Sequence, residues 1–336
     1  CGIFQSDQAS EEIDPPQDIT YVKEEKEQDK TDKTKDKTED KGSKTTSDDK
    51  AAQTGDTVMR ELYLIDKNGY VTAQTLPLPK QEGTAKQALE YLVEGGPVSN
   101  ILPNGFRAVL PADTTVNVDI KEDGTAIADF SKEFKNYKAE DEQKIVPAIT
   151  WTLTQFNSID KVKLRMNGHD LKEMPVNGTP ISEELSREDG INLDTAGVTD
   201  ITATQPVTVY YLAESDKGTY YVPVTKRTSA KEKDQVTAAI KELTEGPDNK
   251  SGLLSDFQGD VKLENKPKIE DGHVTLGQKK VISDEVLNSI VLTLTELPDV
   301  KSVSVTVNGK SELVNEKGEK LSKPVSRPSK VNTGSF

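Results

Sequence analysis

Two histidines, one cysteine and 58 aspartate and glutamate residues are the side chains of this chain that could do chemistry. A histidine with an orienting acid could activate a nucleophile, and histidine with cysteine could bind zinc. His169 follows an Asn-Gly pair and His273 follows an Asp-Gly pair, and both pairs are typical of surface turns. The only cysteine is Cys1, far from both histidines in the sequence. We therefore expect both histidines in turns, no metal site and no histidine-activated nucleophile.

Paired carboxylates are the remaining catalytic possibility, because two acids can hydrolyse a glycosidic bond. Glu94 and Glu245 each precede Gly and Pro, a combination that ends helices, so both are expected as solvated last-turn residues. The carboxylates of Glu122, Asp123 and Asp271 belong to hairpin turns around Asp-Gly. These positions favour turn and cap chemistry over a catalytic pair.

The aromatic content also argues against a sugar-binding cleft, since only 5% of the residues are Phe, Trp or Tyr. The single tryptophan, Trp151, falls beside an apolar helical stripe, which favours a core or domain-interface position over ligand contact. The sequence contains no G-x-S-x-G, no P-loop and no G-x-G-x-x-G motif. We therefore expect no enzymatic activity and no cofactor.

Cys1 has a different interpretation, as a lipid attachment point. In bacterial lipoproteins a signal peptidase cuts immediately before a cysteine whose thiol carries acyl chains such as palmitate, and the signal peptide is removed. A cysteine-free remainder and a long polar segment agree with this hypothesis. The alternative is a fragment that happens to begin at cysteine. We expect acylated Cys1 to hold the protein in a lipid bilayer.

Residues 1–57 are predicted to form a disordered tether. Residues 23–50 contain no hydrophobic residue, and their 9 Lys and 10 Asp plus Glu nearly balance. The whole chain carries a formal charge of -15, which disfavours binding to the phosphate backbone of a nucleic acid. Beyond the tether no apolar run is long enough to span a bilayer.

The rest of the chain is an internal repeat, seen in segments that recur in the same order. The paired segments are ALEYLVEGGP (88–97) and AIKELTEGP (239–247), KEDGTAIADF (121–130) and IEDGHVTL (269–276), TLTQFNSIDKVKLRMNG (152–168) and TLTELPDVKSVSVTVNG (293–309), and SREDGIN (186–192) and SRPSKVN (326–332). The third pair matches without a gap at an offset of 141 residues. This order predicts two tandem domains, 58–200 and 206–336, with a joint at 201–205.

Hydrophobic periodicity predicts the same elements in each repeat: strand, strand, helix, strand, strand, helix, strand. The first helix should run from Thr84 to Glu94, and VKLEN at 261–265 should be a strand. Pro147 falls inside the second helix, which is therefore expected either to kink there or to begin one turn later. Apolar stripes on the helices predict an α+β fold in which helices pack on one face of a small sheet.

These segments resemble the GerMN (sporulation and spore germination) domain, present here in tandem over residues 58–336. The resemblance rests on the helix ending in EGGP or EGP, the Asp-Gly hairpin, TLT followed by a strand and Asn-Gly, and the closing SR...N. It implies a fold similar to the ring-building modules of secretion systems, and a role in sporulation rather than in catalysis.

The resemblance further implies a lipoprotein on the outer forespore membrane that faces the space between the two membranes. Its partners would be envelope proteins of the transenvelope complex that joins mother cell and forespore. Two other hypotheses stay open at this point: a lipoprotein that binds a small ligand or a cell-wall fragment, and a cell-wall hydrolase needed at germination.

Overall fold

The computed structural model describes residues 56–255, 257, 268–278, 283–307 and 324–333. Cys1 and nearly all of the predicted tether lie outside the described residues, as does VKLEN at 261–265. Thr57, the last residue of the predicted tether, is instead the first residue of a strand. Within the described part of the chain, no helix is both long and apolar enough to cross a membrane.

The secondary structure confirms the predicted order of elements in both repeats. The strands are β1 (Thr57–Ile65), β2 (Val71–Pro79), β3 (Val116–Ile120), β4 (Thr125–Phe130), β5 (Lys161–Met166), β6 (His169–Asp170), β7 (Thr204–Ser215), β8 (Gly218–Ser229), β9 (Lys268–Glu270), β10 (His273–Gln278), β11 (Ser302–Val307) and β12 (Val325–Ser326). The helices are α1 (Thr84–Glu90), α2 (Glu142–Leu153), α3 (Gln235–Glu245) and α4 (Asp284–Thr295). The short strands β6 and β12 add to the predicted pattern.

Each repeat contributes a two-stranded hairpin and a four-stranded sheet. The hairpins are β1-β2 and β7-β8, and the sheets have the orders β3-β4-β5-β6 and β12-β11-β10-β9. In the sheets, β4 runs parallel to β5 and β10 runs parallel to β11, whereas their other neighbours are antiparallel. A parallel pair needs a crossover connection, which α2 and α4 supply. The α+β fold class is confirmed, with each predicted sheet divided in two.

Contacts group the described residues into two compact units, which do not follow the repeats residue by residue. The first unit contains residues 56–64, 73–185 and 328–333, and the second contains residues 65–72 and the described part of 186–327. The tip of the first hairpin and the end of the first repeat, from Ser186 onward, thus belong to the second unit. The domain boundaries at 58–200 and 206–336 stay predictions, and the expected joint forms a 3-10 helix at Ile201–Ala203 that leads into β7.

Side chains of the second helix pin the first strand in each repeat. In the first unit, Trp151 is 1% exposed and its ring meets that of Tyr63 edge-on, with 5.8 Å between centroids. The Thr152 hydroxyl accepts a hydrogen bond from the Tyr63 backbone N–H at 3.2 Å. In the second unit, the Thr293 hydroxyl accepts the corresponding hydrogen bond from the Tyr210 backbone N–H at 3.0 Å. The expected core position of Trp151 is confirmed.

Replacing Thr293 with valine should lower the free energy of unfolding by about 1–3 kcal/mol, because the isosteric side chain leaves a buried N–H without its acceptor. Urea denaturation measures the change. Thr295→Val is the matched control, since its hydroxyl donates to Val291 O within the same helix. Equal effects of the two substitutions would show that the contact with Tyr210 does not stabilise the fold.

Two glycines show why the Asp-Gly turns are needed. Gly124 and Gly272 have φ of 90° and 79°, a region that side chains disfavour. A Cβ on Gly124 would lie 2.4 Å from Asp160 Oδ1, and one on Gly272 would lie 3.0 Å from Asp299 O. The carbonyl of each glycine accepts hydrogen bonds from the start of the following parallel strand. These turns therefore help to set the register of β4 against β5 and of β10 against β11.

The structure corrects the predicted end of the first helix. Helix α1 ends at Glu90, four residues before the predicted end at Glu94. The chain leaves the helix because the Leu92 carbonyl accepts hydrogen bonds from the backbone N–H groups of Val109 and Leu110, at 3.1 and 2.9 Å. The corresponding helix α3 runs to Glu245 as predicted.

Two further predictions concern the second helix and the strand that precedes β10. Helix α2 runs from Glu142 to Leu153 with Pro147 inside it, so it does not begin a turn late. Because Pro147 lies in the second turn, it removes one backbone hydrogen bond without ending the helix. The strand β10 pairs with Lys268–Glu270, with the two residues Asp271 and Gly272 between them, whereas the predicted strand VKLEN lies outside the described residues.

Candidate functional site

The candidate site is the set of side chains that cover the outer edges of the hairpin strands. In an antiparallel pair, alternate backbone groups point away from the partner strand and need other partners. On β1, Gln155 bonds both backbone groups of Glu61, with its amide nitrogen 2.6 Å from the carbonyl and its amide oxygen 3.0 Å from the N–H. Gln155, two residues after the end of α2, therefore covers this part of the outer edge of β1 with a side chain rather than with another strand.

Asn192 covers two strand edges within the second unit. Its amide nitrogen donates to the carbonyls of Val71 in β2 and Pro223 in β8, at 2.8 and 2.7 Å. Its amide oxygen accepts from the Val71 N–H at 2.9 Å. Next to it, Ile191 is fully buried and its backbone pairs with Thr225 in β8 at 2.9 Å. The end of the first repeat thus closes the edge of β8.

Asn332 makes the corresponding contact within the first unit. Its amide nitrogen donates to the Ala73 carbonyl at 2.9 Å, and its own carbonyl accepts from the Thr75 N–H at 3.3 Å. Val331 beside it is 3% exposed, and its carbonyl accepts a hydrogen bond from the Thr75 hydroxyl. Both asparagines have positive φ, 48° for Asn192 and 52° for Asn332, which asparagine tolerates better than most residues.

Gly190 directly precedes the strand-edge contacts of Ile191 and Asn192. Both its backbone conformation and the atoms around it require a glycine at this position. Gly190 has φ 86° and ψ -178°, a conformation almost restricted to glycine. A Cβ there would lie 2.8 Å from Leu193 Cδ2 and 2.8 Å from Thr225 Oγ1. These contacts lie at the point where the repeat end meets β8.

Replacing Gly190 with alanine should lower the melting temperature by several degrees, because the change adds strain of about 1–3 kcal/mol and forces the segment off β8. Gly197→Ala is the matched control, since Gly197 has φ 76° and an added Cβ meets nothing within 4 Å. A melting temperature equally affected by both changes would mean that the clash at Thr225 is absent.

Glu142 ties a loop of the first unit to the start of α2. The side chain is 2% exposed. Its carboxylate accepts hydrogen bonds from the N–H and hydroxyl of Thr179 at 2.9 and 2.5 Å, from the Asn177 N–H at 2.6 Å and from the Tyr137 hydroxyl at 2.9 Å. Burial alone would raise the pKa of Glu142, but these hydrogen bonds outweigh it and lower the pKa to about 2. Glu142 is therefore an ionised acceptor at neutral pH and not a proton donor.

A cleft of about 560 Å³ lies near this network in the first unit, and it is lined by Glu94 and Gly95, which follow α1, and by the ion pair of Arg107 with Asp141. Both guanidinium NH groups donate to the carboxylate at 2.7 Å. Hydrogen bonding from Arg107 lowers the pKa of Asp141, and the same bond raises the pKa of Arg107. The two charges neutralise each other, so neither Arg107 nor Asp141 is set aside as an acid or a base.

The buried carboxylates of the second unit also have hydrogen-bonding or ionic partners within the protein. Asp66 accepts from the Tyr220 hydroxyl at 2.7 Å and from the Tyr70 N–H at 2.8 Å. Burial, together with the Asp66 charge, raises the pKa of Tyr220. Glu242 pairs with Lys226, whose Nζ is 3.3 Å from a carboxylate oxygen. These buried acids hold tyrosine, backbone and lysine partners in place.

The structure does not bring the sequence-predicted chemical groups together. His169 is exposed in β6, where it follows the Asn-Gly turn, and His273 is the first residue of β10 rather than a turn residue. The Nδ1 atom of His273 lies 2.7 Å from the Ser302 hydroxyl, because the two residues face each other on parallel strands. Among the described residues, no three His, Cys, Asp or Glu side chains are grouped as metal ligands. Cys1, the predicted lipid-attachment residue, lies outside the described residues.

Sequence reasoning missed the roles of Asn192, Asn332 and Glu142. For the two asparagines a signal was present, because SREDGIN and SRPSKVN match across the repeat and both end in asparagine after an apolar residue. Glu142 offered no such signal, because the equivalent position in the second repeat is Ser283, an N-cap whose hydroxyl accepts from the Val286 N–H at 3.2 Å.

Comparison with known families identifies the family of the two repeats. The Germane family model, described as sporulation and spore germination, matches residues 61–172 and 208–313. The chain belongs to the Germane family. Its two matched Germane domains each contain a hairpin, two helices and a parallel strand pair, and they agree with the GerMN resemblance of the repeats.

A similar protein and a solved structure extend the Germane match beyond the two matched ranges. The chain is 72% identical to "Spore germination protein GerM" from Bacillus subtilis (strain 168), over 100% of this chain and 94% of the relative. It also matches the solved structure "Tandem GerMN domains of the sporulation protein GerM from Bacillus subtilis", with 78% identity and a TM-score of 0.80. That match covers 82% of this chain and 100% of the solved one. The tandem arrangement of Germane domains is thus shared.

Proposed function

We propose that the chain is a non-enzymatic, membrane-tethered assembly lipoprotein that acts in sporulation and spore germination. Acylated Cys1 would hold it in the outer forespore membrane, with both Germane domains facing the space between the membranes. There they would bind envelope proteins of the complex that joins mother cell and forespore. The observation that carries the proposal is the full-length match to a relative named for spore germination.

The polar chemistry of the fold supports an assembly role. Four buried carboxylates accept hydrogen bonds from the protein or pair with its cations, namely those of Asp66, Asp141, Glu142 and Glu242. A catalytic acid instead needs a raised pKa near the working pH. The lowered pKa values of Glu142 and Asp141 are opposite to that requirement. Surfaces of the two domains, rather than buried acids, would carry the function.

The tether supports the proposed location. Cys1 is the only cysteine, and residues 23–50 contain no hydrophobic residue. Two acyl chains on one cysteine suffice for stable attachment, since each buried methylene contributes about 0.8 kcal/mol. A flexible coil of the length of residues 2–57 has a root-mean-square span of roughly 40 Å. The Germane domains could then act at a distance from the membrane.

Replacement of the relative in Bacillus subtilis tests the proposal. The chain, expressed behind a lipoprotein signal peptide, should restore germination to cells that lack GerM and should fractionate with membranes. Cys1→Ala should move it to the soluble fraction and reduce germination, while leaving the melting temperature of the purified domains unchanged. Membrane association that survives Cys1→Ala would refute lipid anchoring.

The competing functions have their own readouts. A cell-wall hydrolase would release soluble fragments from purified peptidoglycan, and a ligand-binding lipoprotein would show a higher melting temperature with muropeptides. We expect neither effect. Fragment release by the purified protein would replace the assembly role with catalysis, and a melting-temperature rise with muropeptides would replace it with ligand binding.

A further inference from the structure

We propose that Asn104 is a site of spontaneous covalent modification, at which the side-chain amide is lost and the residue becomes aspartate or isoaspartate. The reaction uses water and needs no enzyme and no cofactor. Leu102 and Arg107, on either side of Asn104 in the sequence, both line the cleft of the first unit. The modification therefore adds a negative charge to a loop that forms this cleft. The proposal stands on the turn that contains Asn104 and not on the proposed function.

The chemistry begins with the backbone nitrogen of Gly105, which attacks the side-chain amide carbon of Asn104. A bond forms between Gly105 N and Asn104 Cγ, the bond from Cγ to Nδ2 breaks, and ammonia leaves with the proton of the Gly105 N–H. Water then opens the resulting succinimide ring at one of its two carbonyls. Opening at the Cγ carbonyl gives aspartate, and opening at the backbone carbonyl gives isoaspartate. The net change is the replacement of ammonia by water.

A glycine after the asparagine favours this reaction, because a glycine has no Cβ to hinder the approach of its nitrogen. The sequence contains five such pairs, which begin at Asn68, Asn104, Asn167, Asn177 and Asn308. The last pair lies outside the described residues, and the asparagines of the other four are all exposed. Sequence and exposure alone therefore do not distinguish the four described pairs.

The hydrogen bonds of the glycine N–H groups separate these four pairs. In three of them the glycine N–H donates to another group of the chain. These bonds join Gly69 to the Asp66 carbonyl at 3.0 Å, Gly168 to the Asp129 carboxylate at 3.0 Å, and Gly178 to the Met174 carbonyl at 2.9 Å. The Gly105 N–H makes no hydrogen bond within the part of the chain that the structure describes. A bonded nitrogen must first give up its acceptor, whereas the nitrogen of Gly105 can attack directly.

The position of Gly105 in its turn explains why its N–H has no acceptor. The turn is closed by a hydrogen bond from the Phe106 N–H to the Pro103 carbonyl at 3.1 Å. Gly105 is the third residue of this turn and has φ 86°, which is typical of a type II turn. A β-turn uses the N–H of its fourth residue and leaves that of its third residue unused. In the first hairpin, by contrast, Gly69 is the fourth residue, and its N–H closes the turn on Asp66.

The modification changes the backbone as well as the charge. In isoaspartate the chain runs through the former side chain, which inserts an extra carbon between residues 104 and 105. Phe106, directly after the turn, is 7% exposed, and Arg107 donates two hydrogen bonds of 2.7 Å to Asp141. The extra carbon alters the path of the chain into these two residues, whereas aspartate leaves the backbone unchanged.

Peptide mapping of the aged full-length protein by mass spectrometry tests the proposal. The folded protein is incubated in a mildly alkaline buffer, which promotes loss of the N–H proton, and is then digested. The peptide with Asn104 should exchange NH2 for OH and separate into aspartate and isoaspartate forms. Its modification should be about fivefold faster than that of each other described pair, because their glycines must first break a hydrogen bond.

Two variants serve as a matched pair. Asn104→Gln should nearly abolish the modification in this peptide, because the longer side chain would have to close a larger ring. Asn68→Gln makes the same change at an exposed asparagine of another turn and should leave the modification at Asn104 unchanged. Modification at Asn104 that is no faster than at the other three described pairs would overturn the proposal, and so would aspartate without isoaspartate.

A second measurement separates the effect of the fold from that of the local sequence. In urea the turns and their hydrogen bonds are lost, so the four pairs should be modified at similar rates. The preference for Asn104 should therefore appear only in the folded protein. A preference that persists unchanged in urea would show that the free N–H of Gly105 does not cause it, and would contradict the proposal.

Discussion

Replacing Glu142 with glutamine should lower the free energy of unfolding by about 3 kcal/mol at pH 7. The carboxylate accepts bonds from two backbone N–H groups and two hydroxyls. The glutamine amide would instead direct its own N–H donors at some of them. Urea denaturation followed by circular dichroism measures the loss. Glu140→Gln is the matched control, because Glu140 is exposed and the same change there should cost less than about 0.5 kcal/mol.

The effect of Glu142→Gln should also depend on pH. The pKa of Glu142 is lowered in the folded state to about 2, from an ordinary value of 4.5. A lowered folded-state pKa contributes stability that is fully present above the unfolded pKa and is lost as the pH falls through the folded one. The stability difference between wild type and variant should therefore be constant above about pH 5 and shrink between pH 5 and pH 2. A difference that stays the same at pH 3 would contradict an ionised Glu142.

Replacing Asn192 with glycine should lower the free energy of unfolding by about 2–3 kcal/mol. Glycine accepts the backbone angle of 48°, so the expected loss comes from the amide alone. The three hydrogen bonds that the Asn192 amide makes with Val71 and Pro223 would be lost together. Thermal and urea denaturation give the change.

The control for Asn192→Gly is Asn167→Gly, a chemically identical change at another positive φ. Asn167 has φ 50° in the turn between β5 and β6, and removal of its side chain leaves the strand-edge contacts intact. We expect it to change stability by less than about 0.5 kcal/mol. If both glycine variants unfold alike, the Asn192 amide does not hold the repeat end on β8.

The elements were predictable because their patterns are local. The Asp-Gly turns, the apolar faces of α2 and α4 and the gap-free match at an offset of 141 residues each depend on neighbours in sequence. The predicted end of α1 was wrong because the Leu92 carbonyl accepts hydrogen bonds from the N–H groups of Val109 and Leu110. No local sequence pattern indicates that pairing. Tertiary hydrogen bonds overrode a helical periodicity that continues for one more turn.

The candidate site was less predictable, because its residues act over long separations in sequence. Asn332 lies 259 residues from Ala73, and Glu142 lies 37 from Thr179. Asparagine near a glycine or a serine is compatible with any surface turn. The repeat itself supplied the usable clue, since Ile191-Asn192 and Val331-Asn332 recur at equivalent positions. Their role as edge covers required the strand pairing of the three-dimensional structure.

Site-specific photocrosslinking in sporulating cells tests the assembly role most directly. A photoreactive amino acid would be placed at four of the exposed apolar positions of the described surface, Val176, Leu193, Ile201 and Ile269. Lys231, an exposed polar position, would serve as the control site. The account predicts that at least one apolar position forms a discrete crosslink to an envelope protein in the membrane fraction. Exclusively self-crosslinked or uncrosslinked protein at all four positions, in cells that germinate normally, would contradict it.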